Sequence, residues 1–134
     1  MKKMLALLLL VVCGGCANGL LSPENAHATL RTDRSEYDAG EAATLELANT
    51  SDGSVGYNLC FSQLERFSST GWTLAEGTGT ACLAILLLLE SGERATYQLP
   101  LPEALRAGRY RVSTHIEASD GDSERVSTQP FTVR

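Results

Sequence analysis

From Arg109 to Glu117 the chain alternates without a break. Tyr110, Val112, Thr114 and Ile116 interleave with Arg109, Arg111, Ser113, His115 and Glu117. Successive side chains of an extended backbone point to opposite faces, so the first set shares one surface and the second set the other. A helix would scatter both sets around its circumference. The same period runs through Ala43-Thr44-Leu45-Glu46-Leu47 and returns at Phe131 and Val133. Turn-forming residues punctuate it at Ala39-Gly40, Ser51-Asp52-Gly53, Thr70-Gly71, Gly77-Thr78-Gly79, Ser91-Gly92, Ala107-Gly108 and Asp120-Gly121-Asp122. Short strands at this spacing predict an all-β sandwich or barrel of about seven to nine strands. The strands are expected at 27–32, 41–49, 54–61, 63–68, 72–75, 82–89, 93–99, 108–118 and 125–133. Leu101 to Arg106 is expected to make a brief helical turn.

Ile85 to Leu89 is an unbroken apolar run. A membrane span needs about 20 such residues, so this one cannot cross a bilayer. Its length fits a strand buried on both faces or one on an edge covered by a loop, with an exposed patch for a partner as the alternative. The single tryptophan, Trp72, is expected in the core because of the apolar area it supplies, with a ligand platform as the alternative.

The N-terminus follows another pattern. Lys2 and Lys3 precede the nine apolar residues Met4 to Val12, and Gly14-Gly15-Cys16-Ala17 follows. A positive start, a short apolar core and small residues at a cleavage point make a secretory signal. Gly14-Gly15-Cys16 resembles a bacterial lipobox, with Cys13 standing where such motifs usually carry Leu. The resemblance implies that residues 1–15 are a signal-peptide helix that is removed. Cys16 would then be acylated, palmitate included, and become the new N-terminus. Residues 16–26 would form a tether and 27–134 the folded domain. It also implies export to the cell envelope, at the outer membrane if the host has one, because Ala17 replaces the Asp of inner-membrane sorting. A cleaved signal without lipid is the alternative.

The chain has 11 Lys and Arg against 16 Asp and Glu, a net charge of −5. Loss of Lys2 and Lys3 with the signal takes this to −7 and leaves arginine as the only lysine-or-arginine cation. Such a body lacks the clustered cations that phosphate backbones require, which excludes nucleic acid as a partner. Anionic headgroups repel it, so attachment to a membrane falls to the lipid.

With Cys13 removed and Cys16 acylated, Cys60 and Cys82 remain. Export places them in an oxidising compartment, where a bridge between them is expected. Neither has a His or Cys at metal-ligand spacing. His27 precedes the first strand and His115 lies on a polar face, and no G-x-S-x-G motif accompanies them. Both read as surface histidines, and no enzyme, metal or cofactor is expected. Residues 120–124, Asp-Gly-Asp-Ser-Glu, lack EF-hand spacing and sit where a hairpin turn is needed. A solvated turn is the expectation, with calcium as the alternative.

Several segments together resemble bacterial immunoglobulin-like (Ig-like) domains. They are Asp33 to Tyr37 with Gly40-Glu41, Asn49-Thr50-Ser51-Asp52, Leu64-Glu65-Arg66 with Gly71-Trp72, Ser91-Gly92-Glu93, and Gly108-Arg109-Tyr110. The resemblance covers residues 28–134 and implies an Ig-like β-sandwich. Tyr110 would bond back to the connection before it. Val112 stands where antibody domains carry a cysteine, so their intersheet bridge is absent. The implied function is a non-catalytic binding or structural module, held on the membrane by its lipid and serving an envelope protein partner. A second family, the intracellular subtilisin inhibitors, shares the Tyr-x-x-Gly-Glu opening. It implies the alternative of a protease inhibitor acting through the loop from Leu74 to Ala81.

Overall fold

The computed structural model describes residues 26–75 and 81–134. The expected signal peptide 1–15, Cys13, Cys16 and most of the expected tether lie outside the described residues, as does most of the loop after Leu74. Among the described residues eleven strands follow one another. They are β1 (Ala28–Thr32), β2 (Glu36–Tyr37), β3 (Ala42–Asn49), β4 (Val55–Tyr57), β5 (Gln63–Ser68) and β6 (Gly71–Leu74). After these come β7 (Leu87–Leu89), β8 (Arg94–Pro100), β9 (Gly108–Ala118), β10 (Ser123–Ser127) and β11 (Phe131–Val133). A 3-10 turn, Leu59–Phe61, occupies what the sequence suggested was the end of a long third strand, 54–61.

The excess over the expected seven to nine strands has two local causes. β2 is a two-residue strand with no periodic signal of its own. The expected strand 125–133 is interrupted at Thr128–Pro130, where proline lacks the N–H a ladder needs. β10 lies on β9 along residues 113–117, and β11 on β9 along 108–110. β5 pairs with β9 at 110–113 and β4 at 116–118. Because these registers overlap, β10 and β11 share one edge of β9, and β5 and β4 share the other. The eleven-residue β9 is thus the spine of an eight-stranded sheet. A three-stranded sheet in the order β1-β3-β8 packs against it.

The core lies between the two sheets. Leu30, Leu45, Leu47 and Leu99 enter it from the smaller sheet, and Val55, Leu64, Val112, Ile116 and Val133 from the larger. Tyr37, Tyr110 and Phe131 fill one end, with Phe131 edge-on to Tyr37 at 5.2 Å and stacked on Tyr110 at 6.3 Å. The inward set of β9 is the one its alternation predicts. Ser113 belongs to the outward set yet is buried, because Arg125 covers it and donates to its Oγ at 2.8 Å.

The corner from Asp33 to Glu41 accounts for the residues that marked it. The Tyr37 hydroxyl donates to Asp33 Oδ1 at 2.6 Å, and the same oxygen accepts the Thr44 N–H at 2.9 Å. Glu41 accepts the Asp38 N–H at 2.7 Å and pairs with Arg34. Gly40 between them has φ of +84°, a conformation that a side chain would strain. Desolvation pushes the Asp33 carboxyl up, but the hydrogen bonds from Tyr37 and Thr44 and the nearby Arg34 outweigh it and hold the group below its ordinary value. Burial, then the bond to Asp33, pushes the Tyr37 phenol above its ordinary value.

Opposite pH limits follow. The Asp33 contribution is complete above the ordinary carboxylate pKa and fades as pH falls through the lower folded value. The Tyr37 contribution is complete below the ordinary phenol pKa and fades as pH rises through the higher folded value. Thermal melts across pH should therefore show that Asp33→Asn loses part of the wild-type fall in stability below about pH 4. Tyr37→Phe should lose part of the fall above about pH 10. Variants that keep the full wild-type dependence would refute the assignment.

Candidate interaction surfaces

β7 ends the larger sheet and, among the described residues, pairs only with β4, through Val55 with Leu89, Gly56 with Leu88 and Tyr57 with Leu87. The chain leading into it is strapped down. Cys60 and Cys82 are joined by a disulfide with their Cα atoms 5.8 Å apart. Asn58 caps the 3-10 turn by accepting the Cys60 N–H, and its Nδ2 donates to the carbonyls of Leu83 at 2.9 Å and Ile85 at 2.7 Å. At the far end, the buried Asn49 donates to the carbonyls of Leu89 and Gly53 and accepts the Ser51 N–H. These bonds explain the asparagine that closes the second predicted strand.

The apolar run corrects its sequence reading. Only Leu87–Leu89 is strand, and only Leu89 is buried. Leu83, Ile85, Leu86, Leu87 and Leu88 are exposed, Leu88 at 66%. Outward-facing Leu86 lies over Gly56, where an added Cβ would come within 2.8 Å of it. No described strand lies beyond β7, so the residues meant for a doubly covered strand stand on an edge.

Trp72 is a second correction. It is half-buried, outside the core. In the β5–β6 hairpin Leu64 faces inward, so Phe67 and its partner Trp72 face outward. Trp72 packs on Phe67 at 5.2 Å and beneath the Arg111 guanidinium at 4.5 Å, while Arg109 lies over Phe67 at 5.8 Å. Beside them Glu65, 6% exposed, accepts from Arg111 Nε and Arg125 Nη2, each at 2.7 Å. Sequence reasoning missed this cluster. Its only trace was an acid on a strand that pairs with an arginine-bearing one. Glu65→Ala should destabilise the domain by about 1.5–3 kcal/mol, the range for hydrogen bonds to charged groups, because both arginines retain some water contact. Urea melts would test this, and a change below about 0.5 kcal/mol, the size of an ordinary surface substitution, would contradict it.

Tyr110 donates to the Arg106 carbonyl at 2.7 Å, closing the connection before β9 as the resemblance implied. Gly108 leaves room for Arg66, whose Nε would lie 3.1 Å from an added Cβ. His115 is exposed. His27 meets Glu124 at 3.1 Å and Asp120 at 3.7 Å. Asp120-Gly121-Asp122 forms the β9–β10 turn, with Gly121 at φ of +91°. Among the described residues no three His, Cys, Asp or Glu side chains gather as a metal would need. An open groove of about 620 Å³ runs between β1 and β10, and Ala28, Leu30 and Val126 form its apolar floor. Among the described residues no helix is long and apolar enough to cross a membrane.

Two antiparallel-rich sheets, an aromatic end cluster and a tyrosine tied back at the start of a late strand define an Ig-like sandwich. The chain belongs to the bacterial Ig-like domain family, which matches residues 24–130. No curated protein matches it in sequence. Among solved structures it is similar to the Northeast Structural Genomics Consortium target SoR45. That protein is 9% identical, with 79% of this chain and 82% of that chain covered at a TM-score of 0.50. It is also similar to MyfA, the major subunit of Myf fimbriae from Yersinia enterocolitica. There the identity is 17%, with 80% of this chain and 98% of that chain covered at a TM-score of 0.41. At these identities the likeness concerns the fold alone.

Proposed function

We propose that the protein is an envelope lipoprotein, and that its Ig-like domain is a non-catalytic binding or structural module held at the membrane by acylated Cys16. The observation that carries this reading is Gly14-Gly15-Cys16 at the end of a short cationic and apolar leader. The family match begins eight positions beyond that cysteine, a span that would serve as the tether. The Cys60–Cys82 bridge supports an oxidising, exported setting. The module would meet an envelope protein partner through its sheet edges and faces, which offer apolar leucines on one side and the arginine–aromatic cluster on another.

Metabolic labelling with an alkyne palmitate tests the anchor. Wild-type protein should take up label and sediment with membranes, and Cys16→Ser should do neither. An unlabelled, freely soluble wild type would sink the proposal.

A further inference from the structure

We propose that β7 is a self-association edge. The Leu87–Leu89 strands of two copies pair antiparallel about a two-fold axis at Leu87, joining their larger sheets into one. This pairing does not depend on the lipid anchor.

Edge strands are ordinarily guarded by charge or proline. In the smaller sheet β1 carries Arg31, and β8 carries Arg94 and ends on Pro100. β7 carries nothing of the kind. There is no charged residue between Asp52 and Glu65, nor between Glu76 and Glu90, so β4, the 3-10 turn and β7 form a neutral strip on an acidic protein. Leu86, Leu87 and Leu88 expose 54%, 45% and 66% of their surface along it. A second copy offers the same neutral, apolar strip, so the two can meet without opposing their acidic bodies. A bilayer would cover the leucines but leave the outer backbone groups of β7 without partners. A strand satisfies both.

Side-chain parity fixes the register. Leu89 faces the core, so Leu87 shares its face, while Leu86 and Leu88 face out. A two-fold axis at Leu87 sets Leu87 against Leu87, Leu86 against Leu88 and Ile85 against Leu89. Every residue then meets its own face, and Glu90 falls opposite Ala84. Parallel pairing would instead bring Glu90 against Glu90.

Thiol cross-linking of the full chain in membranes tests the arrangement. Leu87→Cys should form a reducible species of twice the chain mass that wild type does not form. Leu83→Cys should not, although Leu83 is the more exposed at 77%, because the axis places it away from its copy. Equal cross-linking at both positions would indicate random collision and overturn the proposal. So would a Leu87→Cys adduct of another mass, which would assign the edge to a foreign strand, or no adduct at all. Where Leu87→Cys fails to accumulate, sedimentation of the detergent-solubilised wild type decides. A dimer that Leu86→Arg/Leu88→Arg reduces to monomer supports the pairing, and a monomeric wild type overturns it.

Discussion

Phe131→Ala is expected to cost about 3–5 kcal/mol, the range for emptying a buried aromatic site. The ring is 2% exposed and is the member of the end cluster that touches both tyrosines. Through Tyr37 it holds β2, and through Tyr110 it holds the start of β9. Each aromatic contact adds about 0.5–1.5 kcal/mol beyond the area buried. Neighbouring side chains cannot refill the space, because Tyr37 is fixed by Asp33 and Tyr110 by the Arg106 carbonyl. Against a usual domain stability of about 5–15 kcal/mol, the loss is large. For a domain of this size it should lower the melting temperature by roughly 10–30 °C. Urea unfolding followed by far-UV circular dichroism reads it directly. Phe67→Ala provides the contrast, since Phe67 is 48% exposed on the outer face and should cost well under half as much. Equal losses at the two positions would show that the end cluster is not the anchor described here.

The fold was legible because its strongest signals are local. Period two in β3 and β9 specified which side chains face inward, and the glycines at 40, 71, 92 and 121 do sit at turns with positive φ. The Asp33-to-Glu41 corner was legible as a motif, and its hydrogen bonds supply the reason for Asp33, Tyr37 and Glu41 in it. What failed was any judgement that needed strand order. Whether Ile85 to Leu89 is covered depends on which strand lies beyond β7, and no local pattern encodes that. Trp72 was misplaced for the same reason. Its face is set by Phe67 across the hairpin, and size alone pointed to the core. The Glu65 cluster joins residues 46 and 60 positions apart in sequence, beyond the reach of spacing arguments.

The other large effect concerns the disulfide, where the expected pairing of Cys60 with Cys82 is present. Their separation of 22 positions corresponds to a chain-entropy contribution of roughly 3 kcal/mol. Cys60→Ala/Cys82→Ala should therefore lose about that amount and melt roughly 10–20 °C lower. The double variant is the proper comparison, because a single replacement leaves a free thiol. The mechanism predicts more than the size. The bridge restrains the unfolded chain, so the bridgeless variant should unfold to a more open ensemble and show a steeper denaturant dependence, with native circular dichroism retained. A second consequence is structural. The bridge and Asn58 are the straps that hold residues 82–85 beside the 3-10 turn. With one strap gone, the neutral leucine run can leave β4 more readily and present unpaired, uncharged backbone to other chains. Light scattering during thermal unfolding should then rise earlier in the bridgeless protein, and adding Leu88→Arg should suppress that rise without restoring the melting temperature. Suppression together with restored stability would mean that the exposed leucine, and not the missing cross-link, had set the loss.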